Sequence, residues 1–322
     1  MHARANRKSF WDWYFFDWFP AENLGVVRAY FGALLAVYLV TQYFQLLGLD
    51  AFGHQFHYTI PIWYFDWLGI ESNIPWVIFP VFLAMLCSCL LFAAGRQTKF
   101  AIVAIIICIF YLKGVRDSFS GDVHHRELPI IAILLLFLFS HCERVFSLDA
   151  RKPGSAARIE DWEASWPLRA MQTYVAFFYL WALVAKLRVS GLDWFTGGGR
   201  IQDILIERAV RDGFDSSGQP VNLSLSYDLA QMPDLVWFLG ALVFAFELLF
   251  PLILLVRSWR LRLVMLICTT VFHSANFLLL NVKFYFYPFV FLVFFNMVPV
   301  HAWLKSKLRV GRRLQVQRSA AD

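Results

Sequence analysis

The chain has 322 residues, 59% of them hydrophobic and only 16% charged, with a mean hydropathy of +0.56. That balance excludes a soluble domain, and the length excludes a single membrane anchor. The expected class is all-α, a polytopic transmembrane helix bundle of about eight spans with no separate soluble domain.

Residues 1–23 open basic and turn aromatic, MHARANRKSFWDWYFFDWF. They lack a continuous apolar run followed by a small-residue cleavage site, so they read as a retained interfacial segment. Stretches long enough for a hydrocarbon core about 30 Å thick then fall near 25–47, 75–95, 98–113, 127–142, 170–188, 233–256, 261–281 and 284–301, within one membrane domain over 24–302. The third and fourth are the shortest and fit thin, protein-buried spans or a re-entrant, site-forming region. The longest non-spanning segment, about 188–232, contains IQDILIERAV, with apolar positions at helical spacing before Gly, Ser and Pro breakers. Residues 303–322 form a basic tail, KSKLRVGRRLQVQR at its centre, which implies a membrane-lipid partner and no nucleic acid.

Basic residues concentrate in alternate connections: Arg4, Arg7 and Lys8; Arg96 and Lys99; Arg144, Arg151, Lys152, Arg158 and Arg169; Arg257, Arg260 and Arg262; and the tail. The first opposite loop, Gly48 to Ile74, carries none. Lys and Arg resist translocation, so the pattern predicts both termini on the cytoplasmic side. Cys87, Cys89, Cys108, Cys142 and Cys268 lie in or beside apolar stretches without ligand spacing; they read as core packing, and no metal is expected.

Lys186 stands out, inside AMQTYVAFFYLWALVAKL. A charged group at membrane depth survives where it faces a protein interior, a wet cavity or a partner. Tyr179 lies seven residues earlier and hence on the same helix face. Glu247 sits deep in ALVFAFELLFPLIL, just before Pro251. His273 and Asn276 share a face at i, i+3. His124 and His125 occupy the loop GDVHHRE, and Arg28 is near enough to the inner end of the first span to snorkel. On the predicted topology Lys186, the loop histidines and the His273–Asn276 face all fall at outer helix ends, where one pocket can hold them. Structural readings compete: an amine reaching the interface along its own stem, an ion pair holding helices together, and interhelical hydrogen-bond glue. In an apolar pocket, desolvation favours the neutral amine, a competent general base. Imidazole and amide groups beside it can stabilise an oxygen on which charge develops. That combination suits deprotonation of an acidic hydroxyl on a lipophilic substrate arriving from the bilayer.

Several segments resemble, in order, the membrane domain of the vitamin K-dependent gamma-carboxylase family, including its bacterial relatives called HTTM (horizontally transferred transmembrane) proteins. They are VRAYFG at 27–32, Gly95-Arg96, YLKGVRDSFSGDVHHREL, FSLDA at 146–150, LRAMQTYVAFFYLWALVAKLRVSGLDW and VFHSANFLLLNVKFYFYPFVFL. The resemblance implies a bacterial inner-membrane enzyme whose lysine deprotonates reduced vitamin K or a related quinol. Oxygen then adds, a proton leaves the gamma carbon of a protein Glu, carbon dioxide is taken up, and the quinol ends as its epoxide. Lys186 falls on that lysine, His125 on a loop histidine assisting the anion chemistry, and His273 and Asn276 on the quinol pocket. Tyr179 and Trp194 are placed with them on the quinol. Arg28 and His124 are expected in support, and the residues' own positions add Glu247 and Arg126.

Partners on this reading are the lipophilic quinol, membrane lipid and a Glu-containing peptide. Two departures stand out. The chain stops at Asp322, whereas vertebrate carboxylases continue into a large extramembrane domain, and Ala185 stands where they carry a further lysine. Both departures bear on docking and processive modification of a protein substrate, and quinol chemistry is compatible with both. A non-catalytic quinone or lipid binder is the alternative, and a proton-coupled carrier a third. Against the carrier, the chain has no inverted repeat and no matching pair of broken spans.

Overall fold

A computed structural model describes residues 9–16, 19–44, 46–47, 60–70, 75–120, 127–152, 159–195, 199–211, 224–280, 284 and 287–319. Among these residues the regular structure is helical, with no strand, as hydrocarbon demands of a chain that must satisfy its own backbone polar groups. The protein is a polytopic helical membrane protein. In chain order the helices are α1 (Phe10–Phe16), α2 (Ala21–Tyr43), α3 (Trp63–Leu68), α4 (Pro75–Ala94), α5 (Thr98–Ser120), α6 (Leu128–Phe139), α7 (Asp161–Ser190), α8 (Arg200–Arg211), α9 (Ser224–Ala230), α10 (Pro233–Leu249), α11 (Trp259–Leu280) and α12 (Val298–Ser319).

Six of these are long and apolar enough to cross a membrane: α2, α4, α5, α7, α10 with its 3-10 continuation Phe250–Leu255, and α11. The two remaining predicted stretches take other forms. The fourth, α6, has 12 residues, about 18 Å at 1.5 Å per residue and short of a core about 30 Å thick. Ser140 closes it, its hydroxyl donating to Phe137 O at 2.8 Å. The eighth bends by 113° between Pro288–Phe294 and Val298–Leu308; counted as one broken span it makes seven. Asn296 Oδ1 accepts from the Val298 N–H at 3.1 Å at the bend, and Pro299 follows inside the new helix's first turn. α5 runs past residue 113 to Ser120 because its late charges are neutralised. Lys113 pairs with Asp117, and Arg116 bonds Asp117 at 3.2 Å and Glu127 at 2.8 Å.

The chain forms two compact units, residues 1–171 with 292–322, and residues 172–291. In the first, α2 buries Leu24, Val27, Phe31, Leu35 and Leu39, one face at helical spacing. The Phe137 ring stands 5.8 Å from Phe31 and 5.4 Å from Phe92. Gly32 admits α4, since a Cβ there would lie 2.9 Å from Phe92 Cδ1.

Arg28 corrects the snorkelling expectation. It is fully buried and donates from Nη2 to Phe146 O at 2.6 Å. A carbonyl inside the protein therefore does what interfacial water was expected to do. Beside it α4 ends at Gly95 (φ +70°), with Gly95 N–H to Phe92 O and Arg96 N–H to Leu91 O, the two bonds of a Schellman turn. Leu148 N–H and Asp149 N–H then donate to Ala94 O and Gly95 O, both at 3.1 Å. VRAYFG, Gly95-Arg96 and FSLDA, far apart in sequence, thus meet in one structural knot.

In the second unit, the segment predicted from IQDILIERAV is α8. Its Ile201 and Leu205 pack with Leu229 and Ala230 of α9, Val236 and Leu239 of α10, and Leu279 and Leu280 of α11. Gln202 Nε2 donates to Ala230 O at 2.9 Å, and Ser226 Oγ donates to Leu279 O at 2.7 Å. This cap sits on the end of α11 that follows His273 and Asn276. Leu205→Ala is expected to cost about 2 kcal/mol, the low end for a buried leucine, visible as a lower thermal midpoint of the purified protein.

Candidate active site

The site is built on α7, α10 and α11. Seven residues are nearly two turns of helix, so Tyr179 and Lys186 project from one face of α7. Lys186 Nζ donates to Glu247 Oε1 and forms an ion pair with it. The carboxylate side chain is 2% exposed and the amine side chain 22%. Glu247 lies on the last turn of α10. Pro251, four residues on, has no N–H to give to the Glu247 carbonyl, and the backbone tightens there into the 3-10 turn Phe250–Leu255.

Tyr179 and His273 share a hydrogen bond of 2.7 Å between the phenol oxygen and Nε2. Aromatic rings surround them. Tyr179 stands 4.3 Å from Phe250, 5.6 Å from Phe246 in edge-on contact and 6.4 Å from Phe291. Phe246 stacks on Phe272 at 5.0 Å, and Phe284 lies 5.3 Å from His273. Such pairs contribute about 0.5–1.5 kcal/mol each beyond the area they bury.

Phe246 is the chain neighbour of Glu247, so the aromatic wall and the ion pair belong to one constellation. The Trp194 ring lies 6.0 Å from the Lys186 amine, at the end of the 3-10 turn Gly191–Trp194. Two buried polar atoms beside the amine, Glu247 Oε2 and Trp194 Nε1, have no hydrogen-bond partner among the described residues. The arrangement sets aromatic rings, a buried ion pair and unpartnered polar atoms side by side.

The profile of the HTTM domain matches residues 16–303. The chain belongs to the HTTM-domain family. That domain is associated with vitamin K-dependent gamma-carboxylase. No curated protein and no solved structure matches the chain.

Of the residues singled out in this HTTM protein, Lys186, Glu247, Tyr179 and His273 come together in the 172–291 unit, with Trp194 against the amine. Asn276 lies on α11 one turn beyond His273 and is half-buried. Arg28 belongs to the other unit, where it serves the knot at Gly95 and Phe146. His124, His125 and Arg126 lie outside the described residues.

Sequence reasoning missed the wall itself, Phe246, Phe250, Phe272, Phe284 and Phe291. With 34 phenylalanines in the chain composition singles out none, but two stand next to chemistry, Phe246 before Glu247 and Phe272 before His273. Tyr179→Phe keeps the ring contacts and removes the bond to His273. It is expected to cost about 1 kcal/mol, and a Tyr179→Phe/His273→Phe double-mutant cycle should return a coupling of that size.

Proposed function

We propose that this HTTM protein is an integral membrane enzyme of vitamin K-dependent gamma-carboxylase type, oxygenating a reduced quinone to its epoxide and coupling this to carboxylation of a Glu side chain. The observation that carries the reading is the Lys186–Glu247 pair set beside an aromatic wall that includes the Tyr179–His273 hydrogen bond. An apolar wall of rings suits a lipophilic fused-ring quinol, and a basic group at its edge suits the acidic hydroxyl of that quinol.

In this reading Lys186 supplies the basic group, and the partly exposed Phe246 and Phe272 give the ring a stacking surface, with Phe250 packed behind them. His273, held in orientation by Tyr179, and Asn276 hydrogen-bond a quinol oxygen, while Trp194 covers the amine. When bound, the quinol supplies, with oxygen, the strong base that takes a proton from the Glu gamma carbon, where carbon dioxide then adds. The packed rings keep bulk water from the Glu247 carboxylate, which strengthens its interaction with the amine. The uneven distribution of Lys and Arg favours cytoplasmic termini and an outward-facing site.

The test is oxygen-18 gas supplied to purified protein with reduced vitamin K in lipid nanodiscs. The expected product is the epoxide carrying one labelled oxygen. Quinol that binds and is recovered without labelled epoxide makes the protein a binder and overturns the enzyme reading.

A further inference from the structure

The base in this site is a pair rather than a single residue. Building on the quinol reading above, we infer that Lys186 and Glu247 act as one proton acceptor, with the substrate proton coming to rest on Glu247 while Lys186 stays an ammonium facing the new oxyanion. Two observations carry this. Lys186 Nζ is already bonded to Glu247 Oε1, so a lone neutral lysine is not the resting arrangement. The second carboxylate oxygen, Oε2, is buried and has no donor among the described residues, which leaves an acceptor position open beside the amine.

The proton count supports the same conclusion. At rest the pair holds one proton and is neutral overall, either as ammonium with carboxylate or as amine with carboxylic acid. When the substrate O–H bond breaks, its electron pair stays on the substrate oxygen and its proton joins the pair. The end state is ammonium, carboxylic acid and substrate oxyanion, again neutral in sum. Net charge is what a low-dielectric site penalises most, and no stage of this transfer creates any. The ammonium then lies where the oxyanion forms and stabilises it. Coupled groups of this kind titrate as a unit, so the proton belongs to the pair.

Few other groups face the carboxylate among the described residues. Tyr179, from α7, lies within its electrostatic reach. His273, from α11, is linked through the Tyr179 hydroxyl. Trp194 presents its ring to the amine.

The experiment follows epoxide formation against pH in purified wild type, Glu247→Gln and Glu247→Asp, with quinol affinity measured alongside. Glu247→Gln should lower turnover by at least about 10²-fold, in the range for losing a positioned proton acceptor, with affinity nearly unchanged. The acid limb of its residual activity should differ from that of wild type, because the carboxylate no longer shares in holding the substrate proton. Glu247→Asp should restore a large part of the turnover and move the limb back toward wild type. A Glu247→Gln protein with a wild-type acid limb or wild-type turnover overturns the inference while leaving the quinol reading in place. Absence of epoxide from wild type overturns both.

Discussion

Lys186→Ala is expected to lower epoxide formation by about 10²–10⁴-fold, the range for disabling a positioned proton acceptor, and also to destabilise the protein by about 3–5 kcal/mol. Both effects have one origin. The amine is the partner of a carboxylate that is 2% exposed, and removing it strands a charge in a site of aromatic rings. Quinol affinity should change far less, because the stacking surface of Phe246 and Phe272 is untouched. The two effects separate in Lys186→Ala/Glu247→Gln, which has no buried charge left to satisfy. That double variant should recover most of the thermal stability and none of the activity. Recovery of both would make the pair a structural tie and nothing more.

Gly95→Ala should cost about 3 kcal/mol of stability, visible as a lower thermal midpoint of the purified protein. Gly95 has φ +70°, and a Cβ built there would stand 2.0 Å from Arg28 Nη1 and 2.4 Å from Ser147 Cβ. Left-handed backbone costs an alanine about 1–2 kcal/mol, and forcing a methyl group into a close-packed junction adds about 1–3 kcal/mol. Neither neighbour gives way easily, since Arg28 is held by Phe146 O and the 146–149 segment by Ala94 O and Gly95 O. Gly69 is the matched control. It ends α3 with φ +63° and has nothing within 4 Å of a built Cβ, so Gly69→Ala should cost only about 1 kcal/mol. Equal losses at the two glycines would show that backbone conformation alone matters and that the Arg28 junction adds nothing.

Much of the site is legible before any coordinates because helix geometry is simple arithmetic. Seven residues put Tyr179 and Lys186 on one face, and ionisable groups at membrane depth mark Lys186 and Glu247. Their direct pairing is not legible, since it depends on which helices are neighbours. The phenylalanine wall is hidden for a different reason: hydropathy treats a lipid-facing ring and a site-facing ring alike. Arg28 misleads because distance to the membrane edge says nothing of a carbonyl brought from residue 146. Hydropathy also misjudges lengths where polar bonds decide them. It stops α5 too early at Lys113, whose charge Asp117 neutralises, and runs α6 through Ser140, whose hydroxyl ends it. The bend at 295–297 joins two helices that a single apolar run conceals.

An experimental structure of the protein in lipid with a reduced naphthoquinone bound would show directly whether the Lys186–Glu247 pair and the aromatic wall form a quinol site. The ring should lie against Phe246 and Phe272, with one hydroxyl within hydrogen-bond distance of the Lys186–Glu247 pair and an oxygen toward His273. A quinol seated away from α7, α10 and α11, with the Lys186–Glu247 pair closed and the aromatic wall uncontacted, would contradict it.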